Sequence, residues 1–173
     1  MNTSETSYRT YARIAGFTFL FYIASGISTM AISNESQIGE ALLLSQNFSA
    51  LILGVTLFML TYKQGLGLAI FALTCRVVES VHSEAAIFFV VASLIFSWLL
   101  LRGRMIPSAL AQLGIIASAL LVVILPLQLT GLFGGNAGWS SSITWLMWLP
   151  MLFFEIILAF WLMIKGVVVP ATE

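Results

Sequence analysis

The sequence predicts an all-α integral membrane bundle of six transmembrane helices with both termini cytoplasmic. Three observations carry that expectation: the composition, a recurrence of apolar runs of membrane-crossing length, and a one-sided placement of Lys and Arg. Hydrophobic residues fill 60% of the 173 positions and charged residues 8%, whereas soluble domains are about 45–50% apolar. The mean hydropathy is +1.05. A helix needs about 20 apolar residues to cross a hydrocarbon core about 30 Å thick, so 173 residues form a single transmembrane domain over 1–173.

The spans are read at about 12–33, 41–62, 66–81, 84–101, 108–129 and 143–165. The first follows Arg9 and Arg13. Its run from Ile14 to Ile32 exceeds the about 7–15 residues of a signal-peptide apolar region and lacks an A-x-A site, so it is read as a retained span. The second ends at Tyr62 and Lys63. The third and fourth cannot be one helix, because residues 66–101, at about 1.5 Å each, would run far past the bilayer. The fifth starts beyond Arg102 and Arg104 and contains Pro126. The sixth follows the uncharged linker "GLFGGNAGWSSS" (131–142), contains Pro150 and ends at Lys165. Each proline frees a carbonyl four residues back, at Val122 and Leu146, and reads as a helix kink.

Cytoplasmic flanks collect Lys and Arg. Arg9, Arg13, Lys63, Arg102, Arg104 and Lys165 all fall on one side of a six-span topology, and the connections at 34–40, 82–83 and 130–142 hold none. Trp139, Trp145 and Trp148 at the outer end of span six, and Trp98, Trp161 and Tyr62 near inner ends, read as interfacial anchors. Gly16, Gly26, Gly114 and Ser118 are small enough to let helices approach. A net charge of zero offers no basic surface for nucleic acid. The expected surroundings are the lipid bilayer, with a second copy or a partner membrane protein as possible company. The single Cys, Cys75, allows no intrachain disulfide and reads as small buried filler.

The seventh basic residue, Arg76, stands in "ALTCRVVESVHSEAA" (72–86) with Glu79, His82 and Glu84. Measured from Lys63, Arg76 is 13 residues along, about 20 Å, and Glu79 about 24 Å. Glu155 is ten residues before Lys165, about 15 Å from the same side. A charge at the bilayer centre costs about 2.5–3.5 kcal/mol, so such groups face inward and find partners. The expectation is that Arg76 lies between Glu79, three residues on along the same face, and Glu155 from span six. Two carboxylates and one cation leave a net charge of −1, so one carboxyl carries a proton or a cation is held there. "ESVH" also has the Glu-x-x-His spacing of carboxylate-bridged metal bundles. Those need the motif twice and this chain has one His, so no metal and no cofactor are expected, and His82 reads as an exposed residue of the outer turn. No G-x-S-x-G, H-E-x-x-H or Walker loop is present, and no Asp.

"ARIAGF" (12–17), "CRVVES" (75–80), "RGRMIPSALAQLGII" (102–116) and "EIILAFWLMIKG" (155–166) resemble segments of the bacterial multi-pass proteins grouped as domain of unknown function 4386. The resemblance implies a six-helix protein of the bacterial cytoplasmic membrane with no assigned activity. Arg76, Glu79 and Glu155 are the residues that give it specificity.

Three roles stay open. A structural or accessory membrane protein would use the Arg/Glu cluster to hold the bundle and would keep it dry and fully paired. A small secondary carrier or proton-linked transporter would have spans one to three and four to six in opposed orientation, with the site near the midplane. A membrane-embedded enzyme acting on a lipid or quinone would use Glu79 or Glu155 as acid or base.

Overall fold

Ser36 starts a helix by accepting a hydrogen bond from the Gly39 amide at 3.0 Å, with Glu40 in the first turn, where a negative charge complements the helix dipole. A computed structural model describes residues 3–32, 36–82, 86–130 and 142–168 of the chain. They form α1 (Thr3–Ala31), α2 (Gln37–Thr61), a 3₁₀ turn (Tyr62–Gln64), α3 (Leu66–Val81), α4 (Ala86–Arg102), α5 (Ser108–Leu129) and α6 (Ser142–Ile164). No strand occurs among the described residues. The ranges of α3 and α5 are those expected. α1 begins nine residues earlier than expected, at Thr3. The polar "TSETSYRTY" ends the apolar run without ending the helix.

Three stretches are long and apolar enough to cross a membrane: Gln37–Gln64, Ser108–Gln128 and Trp145–Ile164. α4 is apolar but has 17 residues, and α3 has 16, so each spans only about 24–26 Å. Large apolar side chains line the outside, among them Phe17, Phe48, Ile116, Phe153 and Ile164, each more than half exposed. So much apolar surface is tolerable only against lipid or another protein. The chain has the make-up of an integral membrane protein.

Each helix packs against its neighbours in the chain, and α6 packs back against α1, so the six close into a ring. Small residues set the approaches. A Cβ at Gly16 would come within 2.6 Å of the Ala159 carbonyl and 2.7 Å of Met163 Cγ, so α1 meets α6 closely there. One at Gly114 would strike the Phe154 ring of α6 and Ser97 Oγ of α4. Ser118, fully buried, donates to Met151 Sδ at 3.8 Å.

One end of the ring gathers the basic residues. Lys63 Nζ lies 5.8 Å from the centre of the Tyr8 ring, and a Cβ at Gly65 would sit 3.8 Å from Arg102 Nη1. The α4–α5 turn closes through Met105 N–H to Leu100 O at 3.0 Å, with Arg104 in the left-handed region at φ 48°, a conformation costing a non-glycine residue about 1–2 kcal/mol. α6 stops in the same manner, with Gly166 at φ 75° and its N–H on Trp161 O at 3.1 Å. Val168 N–H then reaches Met105 O at 2.9 Å, joining the two turns.

Candidate functional site

α3 turns its charged residues inward. Ala69, Ala72, Cys75, Arg76 and Glu79 are buried, while Leu66, Ile70, Phe71, Val77 and Val81 are exposed. That is the reverse of a soluble amphipathic helix and follows from a lipid-like exterior. Gly54 makes room for the long side chain: a Cβ there would lie 2.8 Å from Arg76 Cβ. Sequence reasoning missed Gly54.

Arg76 and Glu79 pair, with Nη1 2.8 Å from Oε2. The contact is close in distance but not aligned as a hydrogen bond, since Glu79 Oε2 has no hydrogen-bond partner. Arg76 Nε donates to the Ala50 carbonyl of α2 at 3.4 Å, and the Tyr22 hydroxyl of α1 donates to Glu79 Oε1 at 2.8 Å. The Tyr22 and Phe89 rings stack at 6.0 Å with planes 8° apart, and the guanidinium carbon lies 5.3 Å and 5.2 Å from their centres, within cation–π range. One cation thus touches α1, α2, α3 and α4. Tyr22 was also missed. Its signal was a phenol nine residues past Arg13, about 14 Å into the span, too deep for an interfacial anchor and in need of a partner.

Glu155 stands at a matching height: it is nine residues before the end of α6 and Arg76 ten after the start of α3, about 14–15 Å in each case. It is 5% exposed and feels the charges of Arg76 and Glu79. No ion pair joins it to Arg76 among the described residues, so the expected bridge between two carboxylates has only one end in direct contact. The nearer carboxylate, three residues along the same helix, takes the cation. Arg76 Nη2 and Glu155 Oε1 are buried and meet no hydrogen-bond partner among the described residues.

The other expected residues lie apart. His82 is exposed and ends α3 by backbone donation to Val78 O at 2.9 Å. Glu84 lies outside the described residues. Among the described residues no three His, Cys, Asp or Glu side chains gather to hold a metal. Pro126, exposed, and Pro150, half-buried, sit inside continuous helices. Trp98 and Trp145 face outward as anchors would, whereas Trp148 turns inward, 5.9 Å from the Phe89 ring. Cys75 is buried and free.

Residues 82–166 match the family described as domain of unknown function (DUF4386). The chain resembles that family. The DUF4386 match takes in α4, α5 and α6, with Glu155, and stops short of Arg76 and Glu79. No curated protein and no solved structure matches the chain.

Proposed function

We propose that the protein crosses a bacterial cytoplasmic membrane six times with both termini cytoplasmic, and that it is a small proton-linked carrier in which Glu155 holds the proton. The gathering of Arg9, Lys63, Arg102, Arg104 and Lys165 at one end supports the orientation. The carrier reading rests on one observation: Glu155, buried, keeps an oxygen that meets no partner among the described residues, beside an ion pair that is already neutral. A purely structural cluster gains from a protein partner for every buried polar atom, because an unmet one costs about 1–3 kcal/mol or more, and Glu155 Oε1 and Arg76 Nη2 meet none among the described residues. A binding site leaves such atoms open, since its polar groups wait for a proton, a water or a ligand.

The scaffold reading keeps one observation in its favour, the contact of Arg76 with four helices. Both roles fit one chain if Arg76, Glu79 and Tyr22 are fixed and Glu155 works. Infrared difference spectra across a pH series test this. The expected result is a protonated-carboxyl band that changes with pH, disappears in Glu155→Gln and survives in Glu79→Gln. A band that never responds to pH, or one that vanishes only in Glu79→Gln, would remove the proposal.

A further inference from the structure

The turns at one end of the ring touch one another, and in doing so they bring the cations together. The Gln64 side chain lies over Gly103, whose Cβ position is 2.8 Å from Gln64 Cδ, so the α2–α3 turn rests on the α4–α5 turn. Arg102 Nη1 is 3.8 Å from the Cβ position of Gly65, two residues beyond Lys63. Val168 N–H ties the tail of α6, with Lys165, to Met105 O at 2.9 Å, and Arg9 Cγ is 3.9 Å from the Cβ position of Gly166. Arg9, Lys63, Arg102, Arg104 and Lys165, all exposed, thus stand on one connected rim, with Arg13 one turn further along α1. No described acidic side chain answers them. Glu40 opens α2 at the opposite end, and Glu79 and Glu155 are buried inside the ring. With Glu5 and Glu173 counted from the sequence, six cations still face two acids.

We propose that this end binds an anionic phospholipid of the leaflet it faces, with the headgroup phosphate seated at the α4–α5 turn against Arg104. The inference rests on the membrane placement proposed above and not on Glu155. A recess of about 340 Å³ opens at that turn, lined by Leu101, Arg104, Ile106 and Ser108. Ligand pockets run from about 300 to 1,000 Å³, so this one has room for a headgroup and not for a whole lipid. Its lining meets both halves of a lipid. Arg104 and the Ser108 hydroxyl suit a phosphate, to which guanidinium donates strong charge-assisted hydrogen bonds, and Leu101 and Ile106 suit the start of an acyl chain. Arg104 is in no ion pair among the described residues, so its charge is open to a ligand. An acidic peptide would answer the cations but not the apolar half of the recess. Clustered Lys and Arg beside a membrane span draw anionic lipid.

Trp98, half exposed on α4 one turn before Arg102, is a native reporter for a lipid held there. In the test the purified full chain is reconstituted in phosphatidylcholine vesicles containing lipid with brominated chains, which quench tryptophan fluorescence on contact. Trp98→Phe supplies the background from the other tryptophans. Brominated phosphatidylglycerol should bind beside Trp98 at least about fivefold more strongly than brominated phosphatidylcholine, the factor for one cation near an anionic surface. Salt at about 1 M, where the Debye length is about 3 Å, should abolish the difference. Arg104→Gly removes the cation and also relieves the backbone at φ 48°. It should melt no lower than wild type and lose the preference, whereas Arg104→Lys should keep it. Equal binding of the two lipids by wild type would overturn the inference, as would an Arg104→Gly variant with wild-type preference. Displacement by sodium phosphate beyond that by sodium chloride of equal ionic strength would make the ligand free phosphate and overturn the lipid. No quenching by either lipid would defeat the membrane placement itself, and the inference with it.

Discussion

Replacing Arg76 with Ala tests the division of labour inside the ring, because the same cluster contains a carboxyl whose neutralisation should cost little. Arg76→Ala removes the cation that faces Glu79 at 2.8 Å, the donor to Ala50 O and the group lying against Tyr22 and Phe89. Among the described residues Glu79 then keeps the Tyr22 hydroxyl as its hydrogen-bond partner. Breaking a buried pair by deleting one member costs about 3–5 kcal/mol. In a chain of 173 residues each kcal/mol moves the melting temperature about 2–4 °C, so the variant should melt about 6–20 °C lower. Glu155→Gln removes no ion pair and no bond at Oε1, and it should melt within a few degrees of wild type. The double variant Arg76→Ala/Glu79→Ala should melt above Arg76→Ala, since no stranded carboxylate remains. Thermal unfolding in one detergent, followed by tryptophan fluorescence, measures all three. Equal melting of Arg76→Ala and Glu155→Gln, or a double variant as low as the sum of its parts, would refute the assignment of the pair as a fixed strut.

Tyr22→Phe deletes the hydrogen bond to Glu79 and leaves the ring stack in place, so the same melting assay should show a loss of about 1.5–3 kcal/mol, smaller than for Arg76→Ala. Gly16→Ala forces a Cβ against the Ala159 carbonyl and should destabilise by about 1–3 kcal/mol. Gly67→Ala, in α3 with nothing within 4 Å of its Cβ position, should be neutral or stabilise by about 0.5–1 kcal/mol. Reporter fusions after Gly39, Lys63, Ser83, Arg104, Ser141 and Glu173 should alternate outside and inside, and an external C-terminal reporter would overturn the six-span topology.

Helix ends were legible where chemistry marks them. Gly65 opens α3 and Pro107 opens α5, and both ranges follow from the sequence as written. The start of α1 was not, because Ser, Thr and Glu in a first turn are as compatible with helix as with linker. The inward stripe of α3 was legible too, since charges at three-residue spacing cannot both face lipid. What spacing does not fix is rotation of one helix about its axis relative to another. That rotation decides that Arg76 reaches Ala50 and Tyr22 rather than Glu155, and that Trp148 faces Phe89 rather than the interface. Gly54 was invisible for the same reason: its role exists only once Arg76 lies across it.

The closure of the ring through α1 and α6 has a consequence for the order of assembly. A ribosome delivers α1 to α4 first, and every described contact of Arg76 lies within those four helices. The Arg76–Glu79 pair and its contacts can therefore form before α5 and α6 are made. α6 is made last, and its approach to Gly16 closes the ring and brings Glu155 into it. A truncation after α5 should accordingly be retained in the membrane as a partly assembled species, competent to accept α6 supplied as a separate segment.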